Sequence, residues 1–202
     1  MRAALKPWSE TVILVQKGRF KAADNTHTWP KENTPLTRVH IDWAYWRGQG
    51  NILVVVDSMS GWLEAVLCKD RETSTVINCL RDIFTRFGIP CTIVADKGPE
   101  FSSSQFHLWS RRIGSRILHT PEYHPQSNGV AERMVWVIKD GVSCFNPSKS
   151  TFMEFLQRLL LVHRNTSRRD GQAPAEIIFR RKLRCPISVS YTHLTLPTIY
   201  SV

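Results

Sequence analysis

Three apolar runs in the first half of the chain have the patterns of neighbouring strands; they are residues 38–45, 51–57 and 62–67. In the first run, RVHIDWAY, apolar and polar positions alternate, which predicts that Asp42 lies on the strand face opposite Val39 and Ile41. The second run, NILVVVD, is continuously apolar, as is typical of a central strand covered on both faces. Because short connections separate the runs, they are predicted to form an antiparallel meander.

Helical spacing of apolar residues begins after the third run. One predicted stripe contains Val76, Ile77, Leu80, Ile83, Phe84 and Phe87. Thr73 or Ser74 can cap the start of this helix, and Gly88 ends it. A fourth strand, residues 91–95, follows directly, and a strand, helix and strand in this order predict a parallel crossover.

The second half of the chain repeats the alternation of helix and strand. A weaker helix over residues 101–114 precedes a strand at residues 115–118, and a further helix begins near Ser127 or Asn128. The last helix is strongly apolar on one side from Phe152 to Leu160, a stripe that fits either a core or a dimer contact, and Thr151 with Glu154 has the spacing of a capping box. The predicted fold class is α/β, with a mixed five-stranded sheet flanked by helices.

The ends of the chain lack these patterns. Residues 1–37 have little periodicity and are expected to be a tail or the remnant of another module, whereas residues 38–186 form the predicted catalytic core. Residues 187–202 are rich in Thr and Ser and are expected to be disordered or weakly packed. The sequence contains neither an apolar run of about 18 residues nor the apolar core of a signal peptide, which predicts an intracellular protein outside the membrane.

Charge adds a second prediction. The 202 residues carry 27 Lys and Arg against 17 Asp and Glu, and residues 133–185 hold 11 of the former against 4 of the latter. A clustered basic excess attracts polyanions such as nucleic acid, although the same charge can serve only solubility. The five cysteines never form a C-x-x-C pair, which argues against a zinc site or a disulfide framework and in favour of buried or idle thiols.

Three carboxylates lie within a predicted strand, at the end of another, and near the start of a helix. Asp42 lies within the first strand, Asp96 ends the fourth, and Glu132 lies near the start of a helix, with 35 residues between the last two. Carboxylates of this kind suffice to hold Mg²⁺, which prefers oxygen ligands and keeps some of its waters. Lys139 lies seven residues after Glu132, on the same helical face, where it can pair with a DNA phosphate.

Other acids have simpler interpretations. Asp57 also ends a strand and is predicted to form the turn before SMSG, and Glu100 and Glu122 are predicted to be surface residues. A single Asp at the end of a strand is usually a turn residue. The three candidate carboxylates therefore gain weight only from their joint context.

That context resembles a known family. The stretches RVHIDWAY, ILVVVDSMSGWLEA, IVADKGPEF, YHPQSNGVAER and APAEIIFRRKLRCPI are similar to successive blocks of the integrase core of gypsy-class LTR retrotransposons and retroviruses. The resemblance covers roughly residues 28–186, and its most specific part is YHPQSNGVAER at the 35-residue spacing.

The resemblance implies a ribonuclease-H-like fold and an enzyme that trims the ends of element DNA and joins their 3′-hydroxyls to target DNA. It implies that Asp42, Asp96 and Glu132 are both the catalytic residues and the ligands of two Mg²⁺ or Mn²⁺ ions. The family positions that approach DNA are matched by Tyr123, Gln126, Asn128 and Lys139, although Tyr123 can also simply pack and Asn128 can be only a cap. A homodimer or higher multimer is expected, in the nucleus or in a retroelement particle.

The chain departs from the family pattern at three places. Residues 1–37 contain His27 but no cysteine, so the usual N-terminal zinc module is missing there. Lys97 stands where the family commonly has Asn or Asp, and it either weakens metal binding by repulsion or points to solvent. Arg180 stands at a common glycine position. These departures keep two alternatives open: a nucleic-acid-binding protein derived from an integrase without catalysis, and a nuclease of the ribonuclease H type.

Overall fold

Alternating and continuous apolar runs become five strands of one sheet, which are β1 (Arg38–Trp46), β2 (Gly50–Asp57), β3 (Leu63–Cys68), β4 (Thr92–Ala95) and β5 (Arg116–His119). The computed structural model describes residues 32–46, 48–120, 129–143, 145–148, 150–168 and 171–185, and for residues 129–133 and 142 it describes the backbone alone. The proposed terminal segments therefore lie largely outside the described residues, except for residues 32–37.

The sheet is mixed, with the order β3-β2-β1-β4-β5. β1 and β2 are antiparallel, with Asp42 opposite Val54, and β2 and β3 are antiparallel as well. β1 and β4 are parallel, as are β4 and β5. This arrangement confirms the prediction of an antiparallel meander joined to parallel strands.

Six helices are described: α1 (Thr73–Phe87), α2 (Pro99–Ser102), α3 (Ser104–Arg112), α4 (Gly129–Ser143), α5 (Phe152–Asn165) and α6 (Pro174–Phe179). The predicted helix over residues 101–114 is divided at Ser103, whose extended backbone and side chain cap α3. The short helix α6 was not predicted, because six residues are too few for a helical period to be recognised.

The two faces of the sheet carry separate cores. On one face, Ile41 and Trp43 of β1 pack with the apolar stripe of α1 and with the buried aromatic rings Phe101, Phe106 and Trp109 of α2 and α3. On the other face, Ala44 of β1 packs with α4 and with the stripe Phe152, Phe155, Leu156, Leu159 and Leu160 of α5. The stripe on α5 is therefore core in this chain.

The caps of α5 and α1 can be compared with those predicted from the sequence. The capping box of Thr151 and Glu154 is confirmed, because each backbone N–H is bonded by the other residue's side chain. Gly88 ends α1 with a positive φ of 93°. The predicted cap at Thr73 or Ser74 is wrong: Glu72 is the N-cap residue, without a side-chain bond to the helix, and the Thr73 hydroxyl instead bonds to the backbone oxygen of Glu100 at 3.1 Å.

Arg180 ends α6 with φ 57° and ψ 21°, in the left-handed region. A glycine adopts this conformation without the steric cost that a side chain brings, which explains why the similar family commonly has glycine there. The arginine keeps the backbone turn, and its N–H bonds to the Glu176 carbonyl at 3.0 Å.

Other predictions concern Asp57 and the thiols. Asp57 forms the predicted turn, since its carboxylate accepts the backbone N–H of Ser60 at 2.8 Å and of Leu36 at 2.8 Å. Four of the five cysteines are described and all are free, with the Cys68 and Cys79 sulfurs 3.6 Å apart. Among the described helices, none has the length and apolar character needed to cross a membrane.

Candidate active site

Asp42 lies in the middle of β1, opposite Val54 of β2 and two residues beyond the last residue of β1 that pairs with β4, His40. The side chain is half-buried, and Oδ1 accepts the backbone N–H of Trp43 at 2.7 Å. Because side chains alternate along a strand, Asp42 lies on the face of Ala44, which α4 and α5 cover, and away from Ile41 and Trp43. The prediction for its face is therefore confirmed.

Asp96 follows directly after β4. The parallel register pairs Arg38 with Thr92 and His40 with Val94, so that Asp42 and Asp96 each lie two residues beyond its last pair, and Asp96 is near enough to act electrostatically on Asp42. Two bonds fix the aspartate: Oδ1 accepts the backbone N–H of Gly98 at 3.0 Å, and its own carbonyl accepts Nδ1–H of His119 at 2.9 Å.

The two carboxylates affect each other electrostatically. The pKa of Asp42 is raised above its usual value of 3.8, first because burial disfavours the charged form and further because Asp96 repels it. The Trp43 N–H and the positive charges of Lys139 and Arg71 partly offset this increase. The site therefore concentrates negative charge at a place that a divalent cation would neutralise.

The third candidate carboxylate lies on the helix that covers this face. The backbone of Glu132 belongs to the first turn of α4, which packs on β1 and β2. Lys139 lies two turns further along α4, with an exposed side chain whose charge reaches Asp42. The side chain of Glu132, and all of Tyr123, Gln126 and Asn128, lie outside the described residues.

The described donor atoms fit a hard cation in type. Asp42 and Asp96 offer carboxylate oxygens, which are the ligands that Mg²⁺ and Mn²⁺ prefer. No group of three His, Cys, Asp or Glu side chains within the described ranges, which exclude the Glu132 carboxylate, is arranged to hold a metal ion. The described residues therefore supply two of the three predicted carboxylates.

Glu100 differs from its prediction. It was expected at the surface, yet only 6% of the residue is exposed, because it accepts two hydrogen bonds from Arg71 beside the site. The sequence carried one weak signal, since Glu100 stands between a helix-starting Pro99 and the buried Phe101. For Arg71, in a polar connection between β3 and α1, the sequence had no signal.

The structure also bears on Lys97 and on the basic residues of the range 133–185. Lys97 has an exposed side chain, as the solvent-facing alternative requires. The described basic residues of the range 133–185 differ in their surroundings. Arg164 is committed to internal bonds, whereas Arg180, Arg181, Lys182 and Arg184 follow one another at the surface.

Comparison with known proteins adds the family. A family model described as the integrase core domain matches residues 32–125. An uncharacterized protein of Caenorhabditis elegans is 34% identical over 163 residues, which are 80% of this chain and 13% of that protein. The Gag-Pol polyprotein of avian reticuloendotheliosis virus is 32% identical over 195 residues, which are 90% of this chain and 16% of the polyprotein. The chain thus spans only a small part of each relative.

Solved structures share the fold. The simian T-cell lymphotropic virus intasome, in complex with PP2A regulatory subunit B56 gamma, matches with a TM-score of 0.67 and 21% identity, over 80% of this chain and 63% of that one. The catalytic core domain of HTLV-2 integrase in complex with magnesium matches with a TM-score of 0.61 and 17% identity, over 73% of this chain and 99% of that one. These likenesses establish the ribonuclease-H-like fold.

Proposed function

Since the chain carries an integrase core domain of the retroelement type and so belongs to the polynucleotidyl transferases, we propose that it trims the ends of element DNA and joins their 3′-hydroxyls to target DNA. The observation that carries this proposal is the juxtaposition of Asp42 and Asp96. The two acids follow the paired segments of β1 and β4, and each adds negative charge to one small region, where Asp96 acts electrostatically on Asp42.

The proposed catalytic residues are Asp42, Asp96 and Glu132, which would hold two Mg²⁺ or Mn²⁺ ions. Magnesium in the similar HTLV-2 core supports the choice of cation. When bound, a pair of such ions activates the attacking oxygen and stabilises the leaving oxygen of an in-line displacement. The central position of Asp42 in β1 suits a ligand shared by both ions, and the 3.0 Å bond from the Gly98 N–H to Asp96 orients the second ligand.

Four residues are proposed to contact DNA. Lys139, exposed on α4, would pair with a phosphate near the reacting end, and Tyr123, Gln126 and Asn128 would approach the same DNA end. The exposed basic residues after α6 would add sequence-independent phosphate contacts that weaken with salt. We propose a homodimer or higher multimer, supported by the intasome and by the trimeric and dimeric HTLV-2 cores among the similar structures, and a location in the nucleus or a retroelement particle.

A branched DNA substrate tests the chemistry with the full chain. The wild type is expected to resolve the branch in Mg²⁺ or Mn²⁺, whereas Asp96→Asn reduces the rate at least about 100-fold, because the neutral amide is a much poorer ligand for a hard cation. Asp82→Asn is the matched control, since Asp82 is an exposed acid on α1, and it is expected to keep the wild-type rate.

The outcomes separate this function from its alternatives. If the wild type and Asp96→Asn are equally inactive with both metals, the chain is not an integrase catalyst. DNA binding that falls steeply with salt, without any cleavage, would then favour a binding protein. Cleavage of an RNA–DNA hybrid, but not of element-type DNA ends, would favour a nuclease of the ribonuclease H type.

A further inference from the structure

Arg71 reaches across the end of the sheet from the connection between β3 and α1. Its Nε and Nη2 atoms donate to Oε1 of Glu100 at 3.2 and 2.6 Å. The guanidinium also lies 5.2 Å from the centre of the Trp43 ring, close enough for a cation–π contact. The arginine side chain is 48% exposed, whereas that of Glu100 is 4% exposed, so Arg71 is the partner that allows a buried carboxylate.

Glu100 is in turn coupled to Asp96 through a tight turn. A Cβ placed on Gly98 would lie 3.0 Å from Oδ1 of Asp96 and 3.1 Å from Oε2 of Glu100. Both carboxylates therefore border the space that the glycine leaves open. The Glu100 backbone is held as well, because its carbonyl accepts the hydroxyl of Thr73 at 3.1 Å. A displacement of Glu100 would therefore move the turn that orients Asp96.

The Arg71 charge also acts on Asp42. Trp43, whose ring lies 5.2 Å from the Arg71 guanidinium, follows Asp42 directly in β1. The backbone N–H of Trp43 is the group that donates to the Asp42 carboxylate. The Arg71 charge also favours the ionised form of Asp42. One guanidinium thus contacts a residue of β1 next to Asp42 and a residue of α2 coupled to Asp96.

We infer that Arg71 and Glu100 are positioning residues, a pair that fixes the spacing and orientation of Asp42 and Asp96 for divalent metal. The inference rests on the proposed function. A different role, with Glu100 itself as a metal ligand, is disfavoured by two observations. Its Oε1 is occupied by two N–H groups of Arg71, and among the described side chains no three acids converge on a metal position.

The expected effect follows from what supporting groups do at other metal sites. Partners that orient ligating carboxylates commonly change metal affinity or activity by about 10–100-fold when removed. Without Arg71, Glu100 loses its cation, and the repulsion among three carboxylates acts on the Gly98 turn. The two aspartates would then be held less firmly in the spacing that binds metal.

Titration of Mn²⁺ into the full chain, followed by calorimetry, tests the role of Arg71. Arg71→Gln is expected to weaken Mn²⁺ binding about 10-fold and to raise the metal concentration needed for half-maximal DNA processing by a similar factor. If Glu100 were a ligand, the same substitution would free its carboxylate and remove a repelling charge, so binding would become tighter. Tighter or unchanged binding overturns the inference.

Glu100→Gln is the complementary variant. It keeps an acceptor oxygen for Arg71 and the size of the side chain, so the fold is retained while the charge is lost. If the two residues act as a pair, Arg71→Gln, Glu100→Gln and the double variant weaken Mn²⁺ binding to similar extents. Losses that add in the double variant contradict a shared role.

Two controls keep this inference separate from the proposed function. Asp42→Asn must abolish most Mn²⁺ binding; if the wild type does not bind Mn²⁺ at all, the proposed function fails first. Arg164→Gln removes a comparable arginine from a Glu–Trp contact and is expected to leave Mn²⁺ affinity unchanged. If that variant weakens binding as much as Arg71→Gln, the effect reports general loosening and the positioning role is rejected.

Discussion

Two units of the same three residue types stand in different parts of the fold. In the site unit, defined as Arg71, Glu100 and Trp43, Nη2 of the arginine lies 2.6 Å from the glutamate and the guanidinium 5.2 Å from the indole ring. In the second unit, the lock unit of Arg164, Glu64 and Trp62, the corresponding distances are 2.7 and 4.3 Å.

The surroundings of the two units differ more than their internal geometry. Arg164 is 18% exposed, lies on α5, and also donates to the Leu63 carbonyl at 3.1 and 2.9 Å. Burial lowers its pKa, which the charge of Glu64 partly restores. Arg164 therefore joins α5 to β3 by hydrogen bonds, although burying its charged guanidinium is unfavourable. Arg71 lies on a connection and is half-exposed, so the fold depends on it less.

An Arg–Glu–Trp contact therefore does not by itself specify a function. Between α5 and β3 such a contact stabilises the packing of a helix on a strand. Beside Asp42 and Asp96 the same contact can govern the placement of acids that repel each other. The burial of the contact and its neighbouring residues decide which of the two roles applies. Substitutions in the two units should therefore change different measured quantities.

The largest expected difference is in stability. Arg164→Gln removes the nearer of two cations from Glu64, which keeps the Trp62 indole N–H at 2.9 Å and the more distant Arg86 at 3.6 Å, and it should lower the free energy of unfolding by about 3 kcal/mol. Arg71→Gln should lower it by about 1 kcal/mol or less, because solvent screens a half-exposed pair. Urea unfolding followed by circular dichroism measures both values. Equal losses would remove the distinction between the two units.

A smaller effect is expected from the acids themselves. Because the pKa of Asp42 is raised in the fold, the ionised carboxylate opposes folding, and Asp42→Asn should gain about 1 kcal/mol at pH 7, as relief of strain at functional sites often does. The sign requires the gain to shrink as pH falls through the raised pKa of the folded state, and to vanish below 3.8, where Asp42 is protonated in both states. A gain that does not change with pH would show that charge is not its cause.

The smallest effect concerns His163, which precedes Arg164 of the lock unit on α5. Burial is the main reason why the pKa of His163 is below 6.5, with the charges of Arg164 and Arg168 lowering it further, and the ring bonds to the Gly61 carbonyl at 3.1 Å. The unfolded chain therefore takes up a proton first, and stability is lost as pH falls below 6.5.

His163→Gln can keep the bond to Gly61 but cannot take up this proton. At pH 5.5 the substitution should remove a loss of at most about 1 kcal/mol, while metal binding at pH 7.5 remains unchanged. Unfolding curves at pH 7.5 and 5.5 provide the measurement. Identical pH dependence in the wild type and the variant would contradict a neutral buried His163.

Much of the fold could be predicted from periodicity. The alternation in RVHIDWAY and the apolar run NILVVVD gave β1 and β2 within one residue of their bounds, because strand patterns report directly which face is buried. The α1 stripe was equally clear. The division at Ser103 and the short helix α6 were missed, since local capping and short length leave no periodic signal.

The candidate site divides in the same way. The positions of Asp42 and Asp96 followed from strand patterns, and the acids were selected by their resemblance to a family. Glu100 was expected at the surface, and its burial depends on an arginine 29 residues away. Such a contact is set by the docking of α1 and α2, which no local pattern encodes.

By itself, therefore, the sequence determined which segments become strands and helices, which face of β1 carries Asp42, and which family the chain resembles. Periodicity contains this information because each element must bury one side. The positions of Arg71 beside the acids and of Arg164 between α5 and β3 came from tertiary packing, because the same side chain acquires its role from its depth, its charged neighbours and the elements brought together around it.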